Sequence, residues 1–169
     1  MLEIFDPQVD DDVLTSSDVS SVLAGKEKDF GTPMSRESRQ VTLSIDGEEV
    51  TVPTGTSVMR AAAELEIEIP RLCATDKLES FGSCRICLVE IKGRRGFPAA
   101  CTTPVEAGMQ VSTQGEATKK LRRNVMEVYM TDHPAERDPI TINGGSEMYL
   151  TAQKLGLDHV RYGGKGRNH

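Results

Sequence analysis

The sequence predicts a small α+β domain, one helix laid across a mixed sheet, set between an acidic N-terminal arm and a short helical C-terminal segment. Three observations predict it. Residues 40–53 alternate apolar and polar about an Asp-Gly turn, residues 58–65 repeat apolar side chains at helical spacing, and the loop that holds three of the only four cysteines is followed by two further strand-like runs, the fourth cysteine lying between them. At 169 residues the chain has room for one domain of ordinary size with appendages, not for two large ones.

Residues 1–36 carry an acidic run, a Ser/Thr/Asp-rich stretch and almost no apolar periodicity, which reads as a disordered arm. From Gln40, Val41, Leu43 and Ile45 share one face; Asp46-Gly47 turns the chain, and Val50 and Val52 continue it as a hairpin ending at Pro53. Thr56-Ser57 can cap a helix whose stripe is Val58, Met59, Ala61, Ala62 and Leu65, closed by Pro70. Residues 73–87 form a polar loop rich in Gly and Ser. Leu88 to Ile91 reads as a strand turned by Lys92-Gly93-Arg94, and Met109 to Thr113 as the last strand. After Gly115 a regular helix places Leu121, Val125 and Val128 on its apolar stripe, with Lys119, Lys120, Arg122 and Arg123 facing elsewhere, and it stops near His133-Pro134. A second helix spans Glu147 to Leu155 and ends at Gly156. No internal repeat is present. The domains expected are thus 1–36, 37–115 and 116–169.

Composition narrows the function. Only 4% of residues are aromatic and none is Trp, which favours a compact carrier over an enzyme with a large aromatic pocket. The net charge of −6 comes from Glu3, Asp6, Asp10, Asp11, Asp12 and Asp18, all before Lys26; the remaining acidic and basic residues balance, so no nucleic-acid footprint appears. No apolar run is long enough to span a membrane, and the N-terminus lacks the positive charge of a signal peptide. A cytoplasmic location is the expectation. No nucleophile with its base, paired acid and base, or dinucleotide fingerprint is present, so no catalytic residue is assigned. Gly163-Gly164-Lys165-Gly166 lacks the spacing of a phosphate loop.

The chemistry therefore rests on Cys73, Cys84, Cys87 and Cys101, spaced C-x10-C-x2-C-x13-C within 29 residues. Two intervening residues let Cys84 and Cys87 aim both sulfurs one way, while Cys73 and Cys101 complete four thiolates, the donor set of a 2Fe-2S cluster or a tetrahedral zinc. Structural zinc sites often pair two CxxC knuckles, and here there is one. A thioredoxin-type CxxC leaves Cys73 and Cys101 without a role, two disulfides require an export signal, and four unrelated buried thiols do not cluster in a polar loop. Gly82 permits close backbone approach, and amides near Ser83, Arg85 and Ile86 can donate to cluster sulfur.

At this point the chain resembles a family. Residues about 39–135 are similar to the N-terminal ferredoxin-like region of the NAD-dependent formate dehydrogenase alpha subunit, and more distantly to the large iron-sulfur subunit of respiratory complex I. The resemblance is carried by Val-Pro-Thr-Gly-Thr-Ser-Val-Met-Arg-Ala-Ala at 52–62, Leu-Cys-Ala-Thr-Asp at 72–76, Phe-Gly-Ser-Cys-Arg-Ile-Cys-Leu-Val-Glu at 81–90 and Cys-Thr-Thr-Pro-Val at 101–105. It implies a β-grasp ferredoxin-like fold and a 2Fe-2S relay in a chain of clusters. It also implies partner subunits that carry molybdenum-pterin and flavin/NAD. The family follows this domain with a 4Fe-4S cluster on H-x3-C-x2-C-x5-C; here His133 is followed by Arg137, Ile140 and Ser146, so three ligands are missing. His133 then reads as a helix-end residue, and His159 and His169 as surface residues. The tail from Gly156 to Gly163 resembles the same alpha subunit.

The function expected is one-electron transfer as a subunit or fragment of a formate dehydrogenase-like complex. The alternative is a zinc- or cluster-stabilised interaction module without redox turnover. The basic residues Lys119, Lys120, Arg122 and Arg123, and Arg94 and Arg95, are expected on solvated faces.

Overall fold

The computed structural model describes residues 2–3, 28–132 and 147–162. They fall into two compact units, residues 29–122 and a second made of residues up to 28 and from 123 onward. The expectations at His133, Arg137, Ile140, Ser146, His169 and the 163–166 run lie outside the described residues.

The larger unit is built on a four-stranded mixed sheet. Strands β2 (Gln40–Ile45) and β3 (Glu48–Pro53) pair antiparallel, Leu43 opposite Val50 and Val41 opposite Val52. Their turn works because Asp46 and Gly47 both take positive φ, 50° and 93°, matching the twist of a two-residue hairpin. Alternation puts Leu43, Ile45 and Val52 inside, each no more than 5% exposed. Strand β5 (Gln110–Ser112) runs parallel to β2, and β4 (Glu90–Ile91) antiparallel to β5, giving the order β3-β2-β5-β4. The expected run from Leu88 divides: Leu88 bridges Ala99 and the Val89 amide donates to Pro98 O at 3.0 Å, so only Glu90 and Ile91 join the sheet.

Helix α1 (Val58–Glu64) is capped by the Ser57 hydroxyl, which accepts the Arg60 amide at 3.1 Å. Its Val58, Met59, Ala61 and Ala62 enter one core with Leu43, Ile45, Val89 and Val111. This is the small α+β domain, a helix against a mixed sheet, that the alternation and capping signals predict.

Two expectations require correction. Residues 29–35 are not part of a free arm. Gly31 and Thr32 are buried; Thr32 Oγ1 bonds Ser57 Oγ at 2.7 Å, Arg60 Nη1 donates to Thr32 O at 2.7 Å, and Ser35 Oγ donates to Thr54 O at 2.6 Å. The strap is held by hydrogen bonds and by the Arg60 guanidinium 4.6 Å over the Phe30 ring, so it carries no apolar periodicity to betray it. The second correction concerns helix α2 (Glu116–Asp132), which starts in this unit and ends in the other. Leu121 and Val128 are 36% and 60% exposed, whereas Thr118, Arg122, Met126 and Met130 are buried at i, i+4, i+8 and i+12. Polar partners decide the face: Thr118 Oγ1 donates to Glu90 Oε1 at 2.6 Å, and Arg122 reaches a main-chain carbonyl of the same unit.

In the smaller unit, β1 (Leu2–Glu3) pairs antiparallel with β6 (His159–Val160). Helix α3 (Glu147–Lys154) ends on Gly156 at φ 66°, where the Gly156 and Leu157 amides cap Gln153 O and Ala152 O at 2.9 Å. The Glu127 carboxylate, its side chain 3% exposed, takes Arg161 Nη2 at 2.6 Å and the Arg161 amide at 2.6 Å. His159 bonds its neighbour Asp158 at 2.7 Å through Nδ1. Among the described residues no helix is long and apolar enough to cross a membrane.

Candidate metal centre

The four cysteines come together on two loops of the larger unit, all as free thiols. Cys73 lies on the first loop, past α1. That loop is tied to the strap, since Asp29 accepts from Thr75 Oγ1 at 2.7 Å and from the Asp76 amide at 3.1 Å, and pairs with Arg71 at 3.2 Å. The chain then passes Gly82, where φ is 71° and a Cβ would stand 3.1 Å from Thr102 Cγ2. Between Cys84 and Ile86, Arg85 adopts φ 55°, a conformation an L residue adopts only at a cost, and the chain turns there within the CxxC. Cys101 sits on the second loop, held against the start of α1: the Val58 amide donates to Thr103 O at 2.9 Å and the Met59 amide to Ala100 O at 3.1 Å.

The cysteines are linked two and two: Cys87 and Cys101 through sulfurs 3.4 Å apart, Cys73 and Cys84 through the Cys84 amide, which donates to Cys73 Sγ at 3.4 Å. Cys84, Cys87 and Cys101 are each at most 5% exposed, while Cys73 is half-buried. Hydrogen bonding to the Cys101 thiol, against burial, brings Cys87 down to about 6, so it is ready to ligate as a thiolate. The same contact, with burial, pushes Cys101 up. Burial also pushes Cys84 up against the Ile86 amide that bonds its sulfur. At Cys73 burial acts upward too, but the Cys84 amide and the Ser83 hydroxyl outweigh it and leave the thiol lowered. Four thiols so placed repel one another as thiolates and require cationic metal to hold them together.

The donor set fits a two-iron cluster. Four free thiols, with Cys87 and Cys101 sulfurs 3.4 Å apart and the Cys84 amide on Cys73 Sγ at 3.4 Å, supply the four thiolates that two bridged irons need. Ser80 Oγ supplies an independent sign. It is the one buried side-chain N or O atom among the described residues without a hydrogen-bond partner, and it lines a cavity of about 480 Å³ with Cys101 and Thr102. An orphaned hydroxyl beside a ligand sulfur is a ready donor to a cluster sulfur.

All four sequence-predicted site residues are thus brought together; of the amides expected as donors that of Ile86 bonds the Cys84 sulfur, and the Cys84 amide, not among those expected, bonds Cys73 Sγ. Sequence reasoning missed Ser80, Asp29 and Arg122. The Asp29-x-Gly31 turn, whose Gly31 amide donates to Asp29 Oδ1 at 2.7 Å, was the one available signal for the strap.

Comparison with known proteins agrees with this geometry. Residues 38–116 match the 2Fe-2S iron-sulfur cluster binding domain. The chain is 40% identical over 131 residues to a subunit of the NADH-quinone oxidoreductase of Streptomyces coelicolor, covering 76% of this chain and 16% of the relative. It is 37% identical over 123 residues to the alpha subunit of the NADPH-Fe(3+) oxidoreductase of Geobacter sulfurreducens, covering 73% of this chain and 15% of the relative. A solved NAD+-reducing NiFe hydrogenase in its H2-reduced state is similar over 76% of this chain and 54% of that one, with a TM-score of 0.66 at 26% identity. The chain therefore spans about a sixth of the length of these two curated relatives.

Proposed function

We propose that Cys73, Cys84, Cys87 and Cys101 are the four ligands of a 2Fe-2S cluster and that the chain relays single electrons, a reading supported by the match of residues 38–116 to the 2Fe-2S iron-sulfur cluster binding domain. The observation that carries this is the arrangement of four free thiols, linked two and two, in a loop cluster with three of them buried. Bound there, a 2Fe-2S cluster takes up and releases one electron at a time without bond making. The protein supplies the rest. Cys73 and Cys84 would hold one iron and Cys87 and Cys101 the other, with the Cys84 and Ile86 amides and Ser80 Oγ stabilising sulfur-borne negative charge.

Cys73, the least buried ligand, marks the side through which electrons enter and leave. Leu78 and Phe81, 69% and 74% exposed, lie in the same loop. The partners proposed are other redox subunits of an NAD(P)H-linked oxidoreductase complex, in keeping with the names of the relatives. The finer reading is a formate dehydrogenase-like complex with molybdenum-pterin and flavin/NAD subunits, and it rests on the resemblance of residues 52–62, 81–90 and 156–163 to that alpha subunit. The alternative of a zinc-held interaction module is less favoured because residues 38–116 match the 2Fe-2S iron-sulfur cluster binding domain.

Anaerobically purified protein is expected to hold about two irons and two sulfides per chain and to bleach with dithionite. Cys84→Ala and Cys87→Ala abolish the visible bands; a full-intensity cluster in either variant refutes the ligand assignment. Alone the chain neither oxidises formate nor reduces NAD, and formate bleaches it only when a molybdenum subunit is added. Bleaching by NADH through a flavin subunit, with none from formate, would place it in a different complex of the same class.

A further inference from the structure

Arg122 is the residue whose position the ligand assignment leaves unexplained. It is 3% exposed, yet among the described residues it forms no ion pair with a carboxylate. Its guanidinium instead donates twice to one main-chain oxygen, Leu88 O, from Nε at 2.8 Å and Nη2 at 2.5 Å. Leu88 directly follows Cys87, bridges Ala99, and lies beside the bond from the Ala100 amide to Cys87 O at 2.9 Å. The cation is thus fixed on the backbone immediately after Cys87, where it bridges the segment leading into Cys101.

A buried charge without a counter-charge is unfavourable, and a well-packed apolar residue at this site would hold α2 to the domain at least as well. Burial does act against the charged form of Arg122, while the negative charges of Cys87 and Asp46 favour it. Asp46 is already engaged, accepting the Thr113 amide at 2.7 Å and the Thr113 hydroxyl. Those donors are neutral and leave the Asp46 charge in place, so the Cys87 side of the metal centre and Asp46 together supply the counter-charge, Cys87 the larger share. Guanidinium keeps its proton at all accessible pH, so this is a permanent positive charge, and in the interior salt screens it little.

We propose that Arg122 is a tuning residue for the cluster: held on Leu88 O next to Cys87, its charge raises the affinity of the centre for its electron. This rests on the assignment of Cys87 as a ligand. The reasoning is electrostatic. Reduction adds one negative charge to the cluster, and a fixed cation nearby stabilises the more negative state more than the less negative one. Lys119, one turn earlier and with its side chain 50% exposed, offers the same charge in water, where it counts for little.

The test is a potentiometric titration of the full chain, followed by EPR, for the wild type, Arg122→Gln, Arg122→Lys and Lys119→Gln, with iron and sulfide counted in each. Arg122→Gln is expected to weaken electron affinity about tenfold, a fall of about 59 mV for one electron. Arg122→Lys, which keeps the charge, is expected to stay within about threefold, and Lys119→Gln within about twofold. A potential in Arg122→Gln within twofold of the wild type overturns the proposal. So does an equal fall in Arg122→Lys, which would assign the effect to the lost Leu88 bonds. Should the Gln variant assemble no cluster, the Lys variant decides: a tenfold loss there overturns the proposal, and a potential within threefold upholds it. Iron content in Cys87→Ala reads the ligand assignment separately, because failure there appears as missing cluster and not as a shifted potential.

Discussion

Removing the carboxylate of Asp29 is expected to loosen the metal centre although Asp29 is not a ligand. In the structure it collects the Gly31 amide at 2.7 Å, the Thr75 hydroxyl at 2.7 Å, the Asp76 amide at 3.1 Å and the Arg71 guanidinium at 3.2 Å. Each such bond contributes about 0.5–1.5 kcal/mol net, but the Asp29 side chain is 37% exposed and solvent screens the Arg71 pair. Asp29→Ala then costs about 2 kcal/mol in opening the Cys73 loop, and at 1.4 kcal/mol per tenfold this is about 30-fold in the open population. The assay is the rate at which an iron chelator bleaches the oxidised protein; Asp29→Asn, which keeps one acceptor oxygen, falls between. Burial acts upward on the Asp29 carboxyl, but its hydrogen bonds and Arg71 outweigh burial and hold it below its ordinary 3.8. Its contribution is therefore complete above that value and lost only as the pH falls through the lower folded one, so the ratio of rates stays flat through the neutral range. Removing residues 1–27 leaves the rate within about twofold, because these contacts begin at Asp29, whereas removing 1–36 matches Asp29→Ala. Bleaching of Asp29→Ala at the wild-type rate would show that the strap does not restrain the loop.

Other outcomes follow from single contacts. Gly82→Val combines a β-branched side chain with φ 71° and a Cβ 3.1 Å from Thr102 Cγ2, so iron content after purification is expected to fall to less than half while an exposed change such as Lys77→Gln leaves it intact. In the smaller unit, Arg161 holds the Glu127 carboxyl below its ordinary 4.5. The contact contributes above that value and is lost as the pH falls through the lower folded one, so hydrogen exchange at the Arg161 amide speeds in acid beyond its intrinsic change. Glu127→Gln removes that pH dependence, and an unchanged profile in the variant would refute the coupling.

Much of the larger unit was legible because its signals are local. The hairpin was written in Val41, Leu43 and Ile45 against Val50 and Val52, its turn in Asp46-Gly47, and the cap of α1 in Ser57. The ligand candidates were legible from spacing, since four thiols within 29 residues of polar loop have few other uses. The strap and the inner face of α2 were not. Both are stabilised by polar groups whose partners lie far away in sequence: Arg122 with Leu88, Thr118 with Glu90, Asp29 with Thr75. An apolar-periodicity reading sends such residues to solvent, which is why Leu121 and Val128 were placed on the inner stripe that Thr118 and Arg122 in fact begin.

The parallel pairing of β2 with β5 also sets a schedule. Every cysteine lies in the span between Ser44 and Gln110, the two residues that this pairing brings side by side. Cys87 and Cys101 can meet locally through the Leu88–Ala99 bridge, but the sheet is completed around all four only when β5 pairs with β2. Closure of distant parallel strands is among the slower steps a small domain performs. During that interval thiols not yet enclosed by the domain are expected to be more open to oxidation and to other metals than in the closed fold.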